Sequence, residues 1–127
     1  MRLLLDTHAL IWWFNDPSQL SETAYSLLQG SANGIFISAA VAWELAIKVN
    51  LGKLDALPLV SDLPNHITEE GFTELPISMA QAIRAGLLPK HHRDPFDRVL
   101  VAQAQELNIP VLSADRFLDR YDVKRIW

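Results

Sequence analysis

The sequence predicts an α/β fold, a sandwich of helices around a central, mainly parallel sheet, built as one domain over residues 1–127. Three observations predict it. Short apolar, β-branched runs alternate with helix-length segments along the whole chain. Half of the 127 residues are apolar, enough for a core without disulfides or a structural metal. No internal repeat, linker or low-complexity stretch divides the chain.

The elements follow in order. Arg2 to Leu5 is a short apolar run ending in Asp6, which suits a buried parallel strand. Thr7 to Asn15 is helical in pattern, and Asp16-Pro17-Ser18 breaks it. Ser21 caps a second helix reaching Gln29, with Gly30 as its stop. Ile35-Phe36-Ile37 is β-branched and aromatic, hence a second strand, and Ser38 caps a helix from Ala39 to about Asn50, closed by Gly52. Between Leu54 and Pro76, punctuated by Pro58, Pro64 and Gly71, the pattern supports one short helix over Ser61 to Glu70 and a strand over Phe72 to Ile77. Ser78 with Gln81 has capping-box spacing and opens a helix to about Leu87. Asp94-Pro95 opens another, running to Leu107. Pro110 to Ser113 forms a fourth strand, Asp115 to Leu118 a short helix and Val123 to Trp127 a last strand.

Composition narrows the function. Without cysteine there is no disulfide framework, thiolate zinc site or cysteine nucleophile. The run Met1-Arg2-Leu3-Leu4-Leu5 is interrupted by Asp6 and His8, and no small-residue cleavage site follows, so a secretory leader is not expected. No stretch reaches the roughly 20 apolar residues of a membrane span, and a soluble cytoplasmic protein is the expectation. A net charge of −4 lacks the overall basic excess of most nucleic-acid binders. The one local basic stretch runs from Arg84 to Arg98 and holds Arg84, Lys90, His91, His92, Arg93 and Arg98.

In a parallel sheet, ligands bind beyond the carboxyl ends of the strands. Asp6 and Asp115 stand just past the first and fourth strands, Asp97 in the first turn of a helix, and Glu44 inside the helix after the second strand. Singly, each has a structural account: Asp6 and Asp115 as helix caps, Asp97 as a partner of the Asp94 cap or of the helix dipole, Glu44 as an i,i+4 partner of Lys48. Glu44 resists that account most, because its helix is apolar nearly all round and a lone buried carboxylate costs several kcal/mol. Converging carboxylates repel by about 4 kcal/mol per pair at about 4 Å and an effective dielectric near 20. A divalent cation removes that cost, and an all-oxygen donor set points to Mg²⁺ or Mn²⁺ rather than zinc. Phosphodiester hydrolysis by direct attack of water fits such a site.

Four segments carry a resemblance: Leu3-Leu4-Leu5-Asp6-Thr7-His8-Ala9-Leu10 with Trp12-Trp13; Ile37-Ser38 through Trp43-Glu44-Leu45-Ala46-Ile47-Lys48 to Gly52-Lys53-Leu54; His92-Arg93-Asp94-Pro95-Phe96-Asp97-Arg98 on to Ala102-Gln103-Ala104; and Val111-Leu112-Ser113-Ala114-Asp115. With them the chain resembles the PIN-domain ribonucleases, and among those the toxin component of VapBC-type toxin–antitoxin pairs. The resemblance implies a PIN-like three-layer α/β/α sandwich. It also implies an acidic site of Asp6, Glu44, Asp97 and Asp115 that is catalytic and holds Mg²⁺ or Mn²⁺, an RNA substrate, a homodimer and inhibition by a small antitoxin. Ser113 stands where the family often has threonine, which keeps a hydroxyl. Asp94 adds an acid on the face of Asp97; the run Asp97-Arg98-Val99-Leu100-Val101-Ala102 selects Asp97 for the site and leaves Asp94 as the helix cap.

Lys48, Arg98 and Ser113 are the further residues considered for substrate contact. His8, His66, His91 and His92 lack zinc-ligand spacing and are read as surface or loop residues. Trp12 and Trp13 adjoin on one helix and cannot both face one core, so one of them is free to cover an interface. Competing functions are a PIN-like binding module without catalysis and a DNA nuclease using the same acids. A haloacid-dehalogenase-type phosphatase needs a second aspartate where this chain has His8, and a response-regulator receiver needs an acidic pair before the first helix.

Overall fold

The computed structural model describes residues 1–91 and 94–127. Five strands, β1 (Arg2–Leu5), β2 (Gly34–Ser38), β3 (Thr73–Leu75), β4 (Val111–Leu112) and β5 (Arg125–Ile126), form one sheet in the order β3-β2-β1-β4-β5. Every pairing is parallel, with Leu3 beside Ile35 and Leu5 beside Leu112. Successive strand residues face opposite sides of a sheet, yet Leu3, Leu4 and Leu5 are all 0% exposed, so both faces of β1 are covered. The result is the three-layer α/β/α sandwich. Full burial of each of these leucines contributes about 1.5–3 kcal/mol.

The helices are α1 (Thr7–Asn15), α2 (Glu22–Gln29), α3 (Ala39–Asn50), α4 (Leu57–Ser61), α5 (Leu63–Glu69), α6 (Met79–Leu87) and α7 (Pro95–Leu107). Local chemistry fixes their starts. Asp6, Ser21 and Ser38 each accept a backbone N–H of the turn they open, and Ser78 with Gln81 forms a full capping box. Gly52, at φ 72°, takes the left-handed turn that ends α3. Fully buried Gln103 of α7 donates to the Pro76 carbonyl and to Gln81 Oε1, tying α7 to the start of α6.

The segment from Leu54 to Pro76 departs from expectation. It holds α4 and α5 rather than one helix from Ser61, because Pro58 and Pro64 sit in the first turns of helices and start them. The strand expected over Phe72 to Ile77 is only Thr73–Leu75, and the last strand only Arg125–Ile126. The helix expected at Asp115 is a 3-10 turn over Arg116–Arg120, capped by Asp115. Both tryptophans of α1 are half-buried in this chain: Trp13 packs on Tyr25 and Phe72, Trp12 on His8 and Trp127. Among the described residues, no helix is long and apolar enough to cross a membrane.

Candidate active site

The chain runs outward from β1 through β2 to β3 and then returns to lay β4 and β5 on the other side. The sheet therefore has its topological switch point between β1 and β4, where parallel α/β sheets open a crevice beyond their carboxyl ends. Asp6 leaves β1 at that point, and Ser113 leaves β4 beside it. A cavity of about 230 Å³ lies there, lined by Asp6, Thr7, His8, Glu44, Lys48, Asp94, Asp97 and Asp115. The four acids singled out in the sequence line this one cavity, and Asp94 lines it with them.

Each acid arrives from a different element. Asp6 is 5% exposed; its Oδ1 accepts the Ala9 N–H at 2.9 Å and its Oδ2 the Ser113 hydroxyl at 2.5 Å. Burial raises the Asp6 carboxyl above the usual carboxylate range, and the nearby Asp115 charge adds to that; the Ser113 and Ala9 hydrogen bonds and His8 work against it. Glu44 is also 5% exposed, on the inward face of α3. Its Oε1 accepts the Thr7 hydroxyl at 2.6 Å and its Oε2 pairs with the Lys48 ammonium at 2.7 Å. Asp97 lies in the first turn of α7, which Asp94 caps through the Phe96 N–H. Asp115 accepts the Phe117 N–H, while its own N–H donates to Ser113 Oγ at 3.0 Å.

Two of the residues considered for substrate contact are engaged within the chain. Ser113 is 0% exposed, and its hydroxyl holds Asp6 and the Asp115 backbone. Arg98 turns its guanidinium to the carbonyls of Ala85, Gly86 and Leu88, at 2.9 to 3.3 Å, and binds the end of α6. Lys48, in contrast, does line the cavity. Of the basic stretch, Arg84 lines a different cavity with Asn108, Asp122 and Lys124, and His92 and Arg93 lie outside the described residues. His91 packs on Tyr121 and His66 on Phe14, whereas His8 lines the acidic cavity.

Thr7 was not singled out by the sequence, because a threonine at the first position of a helix is unremarked. A signal existed: a carboxylate buried on an apolar helix needs donors, and a hydroxyl next to Asp6 is well placed to be one.

The donor set at the cavity is all oxygen, which suits a hard divalent cation in kind. Among the described residues, no three Asp, Glu or His side chains stand assembled to hold one. In this arrangement the oxygens of Asp6 and Glu44 accept from Ala9, Ser113 and Thr7, and Glu44 pairs with the Lys48 ammonium.

Fold and cavity define an α/β protein with an acidic cleft at the switch point of a parallel sheet. The chain belongs to the PIN domain family, whose pattern it matches over residues 3–124. It is 28% identical over 120 residues to Ribonuclease VapC22 of Mycobacterium tuberculosis, covering 91% of this chain and 88% of the relative. Among solved structures it is similar to VapBC2 from Rickettsia felis bound to a promoter DNA fragment, with TM-score 0.73 and 17% identity over 99% of this chain and 98% of that one. It is also similar to FitAcB from Neisseria gonorrhoeae, with TM-score 0.66 and 18% identity over 98% and 96% of the two chains.

Proposed function

We propose that this protein is a divalent-cation-dependent endoribonuclease that acts in the cytoplasm as the toxin of a toxin–antitoxin pair. The observation that carries the reading is the convergence of Asp6, Glu44, Asp97 and Asp115 on one cavity at the switch point. Asp6, Glu44, Asp97 and Asp115 are the residues to hold Mg²⁺ or Mn²⁺. When bound, the cation offsets carboxylate repulsion, neutralises a phosphate oxygen and lowers the pKa of an attacking water.

The chain's own residues do the rest. Ser113 and Thr7 fix the carboxylates of Asp6 and Glu44, so the acidic wall is oriented before a strand arrives. Lys48 brings the one ammonium among the described lining residues, and is the group to meet a phosphate.

Two parts of the reading concern partners. The antitoxin is drawn from the relatives, one a VapC ribonuclease and another a toxin–antitoxin complex from Klebsiella pneumoniae. The homodimer has support in the surface: Met79, Ile83 and Leu87 form one stripe of α6 and are 81%, 57% and 81% exposed.

The test is cleavage of an unstructured RNA panel, and of DNA of matched sequence, with Mn²⁺ or Mg²⁺, by wild type and Asp6→Asn. Metal-dependent cutting of RNA that Asp6→Asn abolishes in a folded protein is the expected result. Equal cutting by both proteins sinks the site assignment, and preferential cutting of DNA sinks the substrate. Failure of the wild type to bind Mn²⁺ at all favours a non-catalytic binding module.

A further inference from the structure

Both oxygens of Glu44 are engaged by the protein itself. Oε1 accepts from Thr7 at 2.6 Å and Oε2 is paired with Lys48 at 2.7 Å. Asp6 is equally engaged, but its donors, the Ala9 N–H and the Ser113 hydroxyl, are neutral. A carboxylate oxygen has more than one acceptor direction, so neutral donors can stay while a cation binds. Lys48 differs. It is charged, its side chain is 33% exposed, and it reaches the cavity on a flexible four-carbon stem one turn beyond Glu44. An ammonium and a divalent cation on one carboxylate repel each other.

The burial of Glu44 gives the pair a purpose. In the metal-free protein Lys48 is the internal cation that makes burial of Glu44 tolerable. A bound metal makes that service redundant.

We propose that Lys48 is an internal counter-cation which a divalent metal displaces from Glu44, and that the released ammonium then becomes the contact for a strand phosphate. Only the partner of the ammonium changes, from a carboxylate to a phosphate oxygen. Metal and nucleic acid are thereby coupled, each favouring the other's binding, because both are served by Lys48 leaving Glu44. The proposal rests on the cavity being the metal site, and its test separates the two.

The experiment is calorimetric binding of Mn²⁺ to the full chain, at fixed pH and salt, for wild type, Asp6→Asn, Lys48→Met and Lys48→Arg. Asp6→Asn is expected to lose binding, which identifies the site. Lys48→Met is expected to bind Mn²⁺ about tenfold more tightly than wild type, and Lys48→Arg, which keeps the competing charge, within about twofold of it. Loss of binding in Asp6→Asn with unchanged or weaker binding in Lys48→Met overturns the displacement while leaving the site intact. Unchanged binding in Asp6→Asn overturns the site reading, and the displacement with it. Should Lys48→Met fail to fold, the Lys48 CεH₂ resonances of wild type decide. They are expected to shift as Mg²⁺ saturates the site, and stationary resonances at saturation overturn the proposal.

Discussion

The Ser113 hydroxyl joins two carboxylate residues at once: it donates to Asp6 Oδ2 and accepts the N–H of Asp115. Asp6 and Ser113 are 107 positions apart in the chain and meet because β4 lies beside β1. Ser113→Ala removes both bonds in a fully buried place. The expected cost is about 1–3 kcal/mol of stability, read by urea unfolding, together with weaker Mn²⁺ binding as Asp6 loses a donor that favours its ionised form. Unchanged metal affinity in the variant would show that Ser113 matters to packing alone.

Asp6 makes the metal-free protein sensitive to pH. Its carboxyl is raised above the ordinary 3.8, chiefly by burial. The folded chain therefore holds that proton more tightly than the unfolded one. This contribution to stability is full below the unfolded pKa and is lost as pH rises through the folded value. Asp6→Asn removes the dependence. In EDTA the variant is expected to be more stable than wild type by about 1 kcal/mol at neutral pH, with the gap closing as pH falls toward about 4. Saturating Mn²⁺ is expected to reverse the order. Melting curves across that range, with and without metal, check both parts.

Much of this site was legible because Asp6, Asp97 and Asp115 fall at element junctions, and a parallel sheet brings such junctions to one edge. Glu44 was legible through its cost, as a charge on an apolar helix. Thr7 was not, since its partner lies 37 residues away and only the fold brings them together. Arg98 shows the converse: beside Asp97 it suggests a phosphate contact, and only the fold shows its guanidinium on the carbonyls at the end of α6. In the fold, Pro58 and Pro64 hid α4 and α5, because one residue type both breaks helices and begins them.

Lys48 and Arg98 should therefore separate in a binding assay. With an uncleavable 2′-O-methyl RNA strand, Lys48→Met is expected to lower the slope of log affinity against log salt by about 0.7, the value of one phosphate contact on a single strand. Arg98→Met is expected to leave the slope unchanged and to cost about 2–3 kcal/mol of stability, as three carbonyls lose a charged donor. A reduced slope for Arg98→Met would restore it to the substrate path.

Gln103 offers a test of the scaffold away from the acids. Its Nε2 donates to Pro76 O at 3.2 Å and Gln81 Oε1 at 3.0 Å, while its Oε1 is buried without a hydrogen-bond partner among the described residues. Gln103→Met removes that orphaned oxygen along with the donor, and is expected to cost about 1–2 kcal/mol. Gln103→Glu sets a carboxylate against two acceptors and is expected to cost about 3 kcal/mol or more at neutral pH, easing as the acid is protonated. Equal destabilisation by the two variants would mean that the pocket relaxes around either side chain.

The exposed stripe of α6 sets the last expectation. Met79, Ile83 and Leu87 recur every fourth residue on one face, and burying such side chains against a second copy is worth about 1.5–3 kcal/mol each. Trp43 of α3, 63% exposed and set edge-on against Phe96, adds a further large apolar surface. Ile83→Asp places a charge in the middle of the stripe. Within one chain it meets mainly solvent, so stability should change by no more than about 0.5 kcal/mol. Across a symmetric interface the charge appears twice, opposed to itself or to apolar neighbours, and association should weaken by at least about thirtyfold. Sedimentation velocity over a concentration series reads this directly. A wild-type dimer that Ile83→Asp converts to a folded monomer places the interface on α6. A dimer indifferent to the charge places it elsewhere, and a monomeric wild type at every concentration removes the dimer from the proposal.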